Sequence, residues 1–204
     1  DIQDFRPLEN QKPAAMKKLV HISCFDEPAK NIRGIINVVN KLAAVRDDFT
    51  LEIIGDGKDF ELVKGHALAT GLLNSRIYLT GLLTGAQLSR KLREADALVM
   101  FSNYENLPCT IVESLCSGVP VISTDVGGIR EHVTEHFGIL LPAGDESALL
   151  SAILQVLEQP HLFHRQEMRA YAESHFSLEA VGQIFNNIYQ NSIPIAKLNS
   201  SGNR

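Results

Sequence analysis

The sequence predicts an α/β fold, a doubly wound parallel sheet of about six strands, and three observations lead there. Short apolar runs alternate with longer stretches whose apolar residues recur at three- and four-residue steps, the strand and helix periods of a parallel sheet. The apolar runs break into polar or glycine-bearing loops (Asp26 to Asn31, Gly55-Asp56-Gly57, Gly81-Leu82, Ser102 to Pro108, Gly127-Gly128), which would gather loops at the carboxyl edge of the sheet. With 204 residues, 45% hydrophobic and 21% charged, the chain can bury a core of ordinary domain size and is not disordered.

Residues 1–17 are polar, contain Pro7 and Pro13, and read as a linker or hinge segment; residues 18–190 read as the folded domain and 191–204 as a polar tail. The first strand is Lys18 to Phe25. A helix follows the loop at Asp26 to Asn31, with Ile32, Ile35, Ile36, Val39, Leu42 and Ala43 on one face. The second strand, Thr50 to Ile54, ends in Gly55-Asp56-Gly57. A dinucleotide fingerprint would place glycine at position 60, where Phe60 stands, so that reading fails. An ordinary tight turn accounts for Gly55 and Gly57 equally well. A helix over 59–71 leads to a strand over Arg76 to Leu79 and then Gly81-Leu82. Thr84 to Ala95 is amphipathic, with Thr84 as the expected cap.

The most informative stretch runs from Ala97 to Glu131. An apolar strand (Ala97 to Phe101) opens into S-N-Y-E-N-L-P, and Asn106 and Pro108 start a helix that ends at Gly118, a residue suited to a left-handed cap. A second buried strand, Val119 to Ser123, and the Gly127-Gly128 turn come next. Ligands of open α/β sheets bind beyond the carboxyl ends of the strands, so Glu105 and Glu113 flank the expected place. Glu113 sits among Ile111, Val112, Leu115 and Cys116, where an ionised carboxylate is costly unless hydroxyls or N–H groups bond it; a helix-edge position reaching water is the plainer alternative. Beyond lie a short helix (Ile129 to Thr134), a strand (Gly138 to Leu141), a helix capped by Asp145 running to Glu158, and two more helical segments split by Pro160 and His175-Phe176-Ser177.

Glu105-x7-Glu113 with Asn106-Leu107-Pro108 between, then S-G-V-P-V-I from Ser117 and Gly127-Gly128-x-x-Glu131, resembles the nucleotide-sugar-binding half of retaining glycosyltransferases with the GT-B fold, the glycosyl transferases group 1. The resemblance implies a Rossmann-like sheet forming one half of a GT-B fold. It implies transfer of a hexose or N-acetylhexosamine from a nucleotide diphosphate sugar to a sugar, lipid or small-molecule acceptor. By the resemblance, Glu113 accepts from ribose hydroxyls and Glu105 meets a hydroxyl of the donor sugar. N–H groups of Asn106, Leu107, Cys109 and Thr110 face sugar or phosphate, where the helix dipole favours negative charge. Gly55, Gly81 and Leu82 border the nucleotide, the base being met through backbone groups. Lys30 matches the lysine that neutralises the diphosphate; Phe25 or Asp26 stands where an arginine is common, and Arg33 is the candidate replacement, a solvated helix residue being the plainer reading. Catalytic weight falls on Lys30 and Glu105. UDP is favoured over GDP as the carrier. The segment D-I-Q-D-F-R-P resembles the stretch just after the hinge that joins the two GT-B domains, so an N-terminal acceptor-binding domain is the expected partner. The last helix (Ile184, Phe185, Ile188, Tyr189) would present apolar surface to it. An epimerase of the same fold and a degenerate nucleotide-binding module are the alternatives.

Several classes are excluded or disfavoured. The net charge is −5 and no basic run exceeds Lys17-Lys18, which argues against nucleic acid or an anionic membrane as primary partner. No apolar run approaches membrane-spanning length. Cytoplasmic localisation is expected, with membrane contact only through the other domain. Three cysteines (Cys24, Cys109, Cys116) without metal spacing read as buried thiols of a reducing compartment. His132 and His136 lack H-E-x-x-H, and the resembled chemistry needs neither metal nor cofactor. A two-carboxylate glycosidase reading of Glu105 and Glu113 lacks an aromatic set, and no nucleophile elbow supports a Ser–His–Asp site.

Overall fold

A computed structural model describes residues 2–8 and 15–192. Strand β1 (Lys17–Ile22) is followed by a single turn, α1 (Glu27–Lys30), and by α2 (Ile32–Leu42). Next come β2 (Phe49–Ile54), α3 (Phe60–Ala69), β3 (Ile77–Gly81), α4 (Gly85–Arg93), β4 (Ala97–Met100), α5 (Cys109–Cys116) and β5 (Val121–Thr124). The chain continues through a 3-10 turn (Ile129–Glu131), β6 (Gly138–Leu141), α6 (Glu146–Glu158), a second 3-10 turn (Pro160–Leu162), α7 (Arg165–Phe176) and α8 (Leu178–Ser192).

The six strands form one parallel sheet in the order β3-β2-β1-β4-β5-β6. From β1 the chain steps outward through β2 to β3, then returns to lay β4 against the other side of β1. The sheet is therefore wound both ways from the β1–β4 boundary. Burial follows from this layering: β4 and β5 are buried at every position, and the inner faces of α2, α5 and α6 close over them. Continuous apolar runs such as Ala97–Met100 are what a strand covered on both faces requires.

Two ends show how the sequence stops its elements. Gly118 has φ +65°, with its N–H on Leu115 O (3.0 Å) and that of Val119 on Ser114 O (2.9 Å). This paired 6→1 and 5→2 arrangement is the Schellman ending, and it removes Val119 from the strand that its apolar character suggests. Asp145 caps α6 through Oδ1, which accepts from the Ala148 N–H at 2.9 Å.

Some expectations need correction. Thr84 sits at the N-cap of α4 in extended geometry, yet its side chain makes no capping bond. Helix α5 begins at Cys109 with Pro108 as its cap, so Asn106 and Leu107 belong to the preceding loop. Of the three cysteines only Cys116 is buried; Cys24 and Cys109 are exposed, because both fall where elements meet the carboxyl edge. Phe5 is buried, and the Arg169 guanidinium donates to the carbonyls of Ile2, Phe5 and Cys116, tying the first residues to α5 and α7. The expected polar tail lies outside the described residues from 193 onward.

Candidate functional site

The boundary between β1 and β4 is the topological switch point, where the chain leaves neighbouring strands in opposite directions, and ligands of such sheets bind beyond the carboxyl ends of these strands. β1 and β4 are in register only at Leu19↔Ala97 and Val20↔Leu98, while β1 stays paired with β2 as far as Ile22↔Ile54. Two loops cross this boundary and are zipped together. The Asn103 N–H donates to Ala29 O (2.8 Å), and Asn103 Nδ2 donates to Pro28 O (3.0 Å).

On that frame Lys30, the last residue of α1, and Glu105, in the loop after β4, meet: Lys30 Nζ lies 2.6 Å from Glu105 Oε1. Glu105 is only 7% exposed, and the same oxygen accepts from Ser102 Oγ at 2.8 Å. A buried carboxylate is tolerated because it has a cation and a hydroxyl on it. The third contributor is the loop after β5. Thr124 Oγ1 donates to Ser102 O (2.6 Å), and the Gly128 N–H donates to Asn106 O (2.8 Å). Gly127 has φ +59°, and a Cβ there would stand 2.0 Å from Glu105 O, so only glycine lets this loop close on the Glu105 backbone.

Glu113 lies on the second turn of α5, half-buried, beside a cavity of about 420 Å³ lined by Leu107, Cys109, Val112 and Cys116 and by Ile2 and Phe5 of the N-terminal segment. Burial pushes its carboxyl above the usual carboxylate range, and among the described residues it has no hydrogen-bond partner. The N–H groups of Asn106, Leu107, Cys109 and Thr110 likewise have no protein acceptor among the described residues, whereas the Thr110 hydroxyl turns inward to Met100 Sδ (3.7 Å). N–H groups without a protein acceptor in the loop before α5 and in its first turn, in sequence between two carboxylates, suit a ligand that is anionic in its middle and rich in hydroxyls at its ends.

The remaining candidates divide. Gly55, at φ +141°, has its Cβ position 1.9 Å from Ser23 O and donates its N–H to Gly81 O (2.9 Å), so close packing of β1 against β2 requires this glycine. Gly81 has φ +71° with open space around its Cβ position, and Leu82 is 71% exposed at the same edge. Arg33 is not brought to Lys30: its Nε is held by Glu27 Oε1 at 3.1 Å. Asp26 pairs with Lys58 at 3.2 Å.

Sequence reasoning passed over Glu27, whose buried carboxylate accepts from the N–H groups of Ile32 (3.0 Å) and Arg33 (3.1 Å) and so caps α2. It also passed over His21, fully buried in β1, and the Ser102–Thr124 link; a histidine in the otherwise apolar run K-L-V-H-I was the available signal. Among the described residues no group of three or more His, Cys, Asp or Glu could hold a metal ion. His132 instead bonds the Tyr171 hydroxyl (2.8 Å), and His136 stacks on His164. No helix among the described residues is long and apolar enough to cross a membrane.

Lys30 and Glu105 thus meet at the switch point of a doubly wound sheet, while Glu113 borders a cavity that neither of them lines. The family profile of the glycosyl transferases group 1 matches residues 7–175, and the chain belongs to that family. A GDP-mannose-dependent monoacylated alpha-(1-6)-phosphatidylinositol monomannoside mannosyltransferase of Corynebacterium glutamicum is 28% identical over 210 residues, covering 93% of this chain and 54% of that protein. Among solved structures, Anabaena HepE in complex with UDP and glucose superposes with a TM-score of 0.79 at 18% identity, over 94% of this chain and 55% of that one. The C-terminal domain of a glycosyl transferase group 1 family protein from Francisella tularensis has a TM-score of 0.74 at 19% identity, over 87% of this chain and 98% of that one. The fold is thus the Rossmann-like half of a GT-B glycosyltransferase. The chain spans about half of the mannosyltransferase and 34% of a 2-deoxystreptamine glucosyltransferase of Streptomyces kanamyceticus, which is 31% identical over 132 residues.

Proposed function

We propose that this chain is the donor-binding half of a retaining glycosyltransferase that moves a hexose or N-acetylhexosamine from a nucleotide diphosphate sugar to a sugar, lipid or small-molecule acceptor. The observation that carries this reading is the largely buried Lys30–Glu105 contact across the switch point, with N–H groups in and just before α5 that have no acceptor among the described residues, and Glu113 beyond them. In this reading Glu113 accepts from the ribose hydroxyls, and a half-buried carboxylate with no hydrogen-bond partner among the described residues is the cost of a site made for them. Glu105 meets a hydroxyl of the sugar. Lys30 and the N–H groups of Asn106, Leu107, Cys109 and Thr110 compensate the diphosphate. As the bond from the anomeric carbon to the diphosphate oxygen breaks, charge grows on the leaving group, and these fixed donors stabilise it more than they stabilise the bound donor. No metal is needed for that task.

Gly81 and Leu82 border the base. UDP remains our favoured carrier over GDP, supported by the fold shared with a UDP-bound neighbour, although the mannosyltransferase relative is described as GDP-mannose-dependent. The acceptor would be held by a separate N-terminal domain, facing the exposed Ile184, Phe185, Ile188 and Tyr189 of α8. We place the protein in the cytoplasm, with membrane contact only through that domain. A second reading, a nucleotide-binding module without catalysis, is favoured by one observation: Arg33, Lys58 and Lys30 are each tied to a carboxylate, to Glu27, Asp26 and Glu105 respectively. Substituting Lys30 by Ala in the longer protein separates the two. Transfer by the wild type that Lys30→Ala abolishes supports the catalytic reading, no transfer by the wild type supports the module, and transfer that the substitution leaves unchanged contradicts both.

A further inference from the structure

We propose that His21 is a positioning residue of the donor site, a neutral imidazole that bridges β1 to β4 where their backbones part and thereby sets the spacing of the Lys30 and Glu105 loops. The inference rests on the donor-site reading above. Paired register between β1 and β4 ends at Val20↔Leu98, one residue before His21. From there the two strands lack the ladder that would fix their separation, and the His21 ring takes its place. Nδ1 lies 2.8 Å from Val99 O and Nε2 lies 2.7 Å from Ser23 Oγ. A carbonyl only accepts, so Nδ1 carries the proton, and in the neutral ring that burial favours Nε2 accepts from the Ser23 hydroxyl. One ring therefore ties the end of β4 to the residue where β1 becomes the Lys30 loop.

Burial lowers the His21 pKa to about 4, outweighing the hydrogen bond to Val99 O and the Glu105 charge, which favour a charged ring, while the Lys30 charge disfavours it. The ring is fully buried, so it cannot touch a ligand beyond the strand ends and acts through the loops. A phenylalanine would fill the space but leave Val99 O and the Ser23 hydroxyl unpaired. A glutamine can donate through its amide nitrogen and accept through its oxygen.

The test uses the 204-residue chain with His21→Phe and His21→Gln, followed by hydrogen exchange without ligand and by calorimetric titration with UDP and GDP. The expectation for H21F is faster exchange in 23–30 and 99–105 and about tenfold weaker nucleotide binding; H21Q should restore both to within about twofold. Should H21F fail to fold, Ser23→Ala, which removes only the Nε2 partner, is expected to show the same exchange pattern and about threefold weaker binding. Unchanged exchange in a folded H21F, or an H21Q as impaired as H21F, overturns the proposal. If neither this chain nor the longer protein binds a nucleotide, the donor-site reading fails, while the exchange data still decide the role of His21.

Discussion

Lys30 and Glu105, 75 positions apart in sequence, are in contact at 2.6 Å across the switch point of the sheet, with both side chains largely buried. Removing one partner leaves the other charged and desolvated. Lys30→Ala should destabilise the chain by about 3 kcal/mol, whereas the double variant Lys30→Ala/Glu105→Gln should recover most of that. Denaturant titration reads both. In the longer protein neither variant should regain transfer, and Lys30→Ala alone should lower turnover by roughly 10²–10³-fold.

Glu113 is a half-buried carboxylate with no partner among the described residues, and burial holds its pKa up. A carboxyl whose folded pKa exceeds its unfolded value costs stability as pH rises through the folded pKa. Glu113→Gln should therefore raise the melting temperature at pH 7 relative to wild type, with the difference shrinking toward pH 4. The same variant should weaken nucleotide binding by about tenfold, since an amide offers one neutral acceptor oxygen where a carboxylate offers two charged ones. Opposite signs for stability and affinity mark a group kept for a ligand.

Gly127 and Gly144 both have left-handed backbone, at φ +59° and +77°, but only Gly127 faces an obstacle, the Glu105 carbonyl at 2.0 Å from its Cβ position. Gly144→Ala should cost about 1 kcal/mol from backbone strain alone. Gly127→Ala should cost more than twice that and loosen the Glu105 loop, visible as lost nucleotide affinity. Equal costs at the two positions would show that the loop after β5 does not brace the site.

The sheet was legible because its central strand β4 is a continuous apolar run and because helices such as α2 and α6 each carry one apolar face. The spacing from Glu105 to Glu113 was legible because it lies within one loop and one helix. What the chain did not show is what depends on contacts between distant segments. Arg33, Lys58 and Lys30 are equivalent cations in sequence, and only the fold shows that Glu27 and Asp26 take the first two. Gly55 serves the packing of β1 on β2, a need set by Ser23 on the neighbouring strand. His21 reads as an odd residue in a strand until Val99 and Ser23 are placed around it.

The buried His21 also predicts a pH dependence. Its pKa is about 4 when folded against 6.5 when unfolded, so between these values the unfolded chain binds the proton and the folded chain does not. Stability should fall as pH drops from 6.5 to 4, by roughly 3 kcal/mol from this group. Denaturant unfolding of wild type and His21→Gln at pH 7, 5 and 4 isolates it, because every other group titrates in both. An identical slope in the two proteins would contradict a neutral buried imidazole.

The most direct test of the donor site is calorimetric titration of the chain with UDP, GDP and ADP, for wild type and Glu113→Ala. The account predicts saturable binding of one nucleotide, UDP by preference, weakened about tenfold or more by the substitution. Binding of none of the three, by this chain and by the longer protein alike, or binding that Glu113→Ala leaves unchanged, would contradict it.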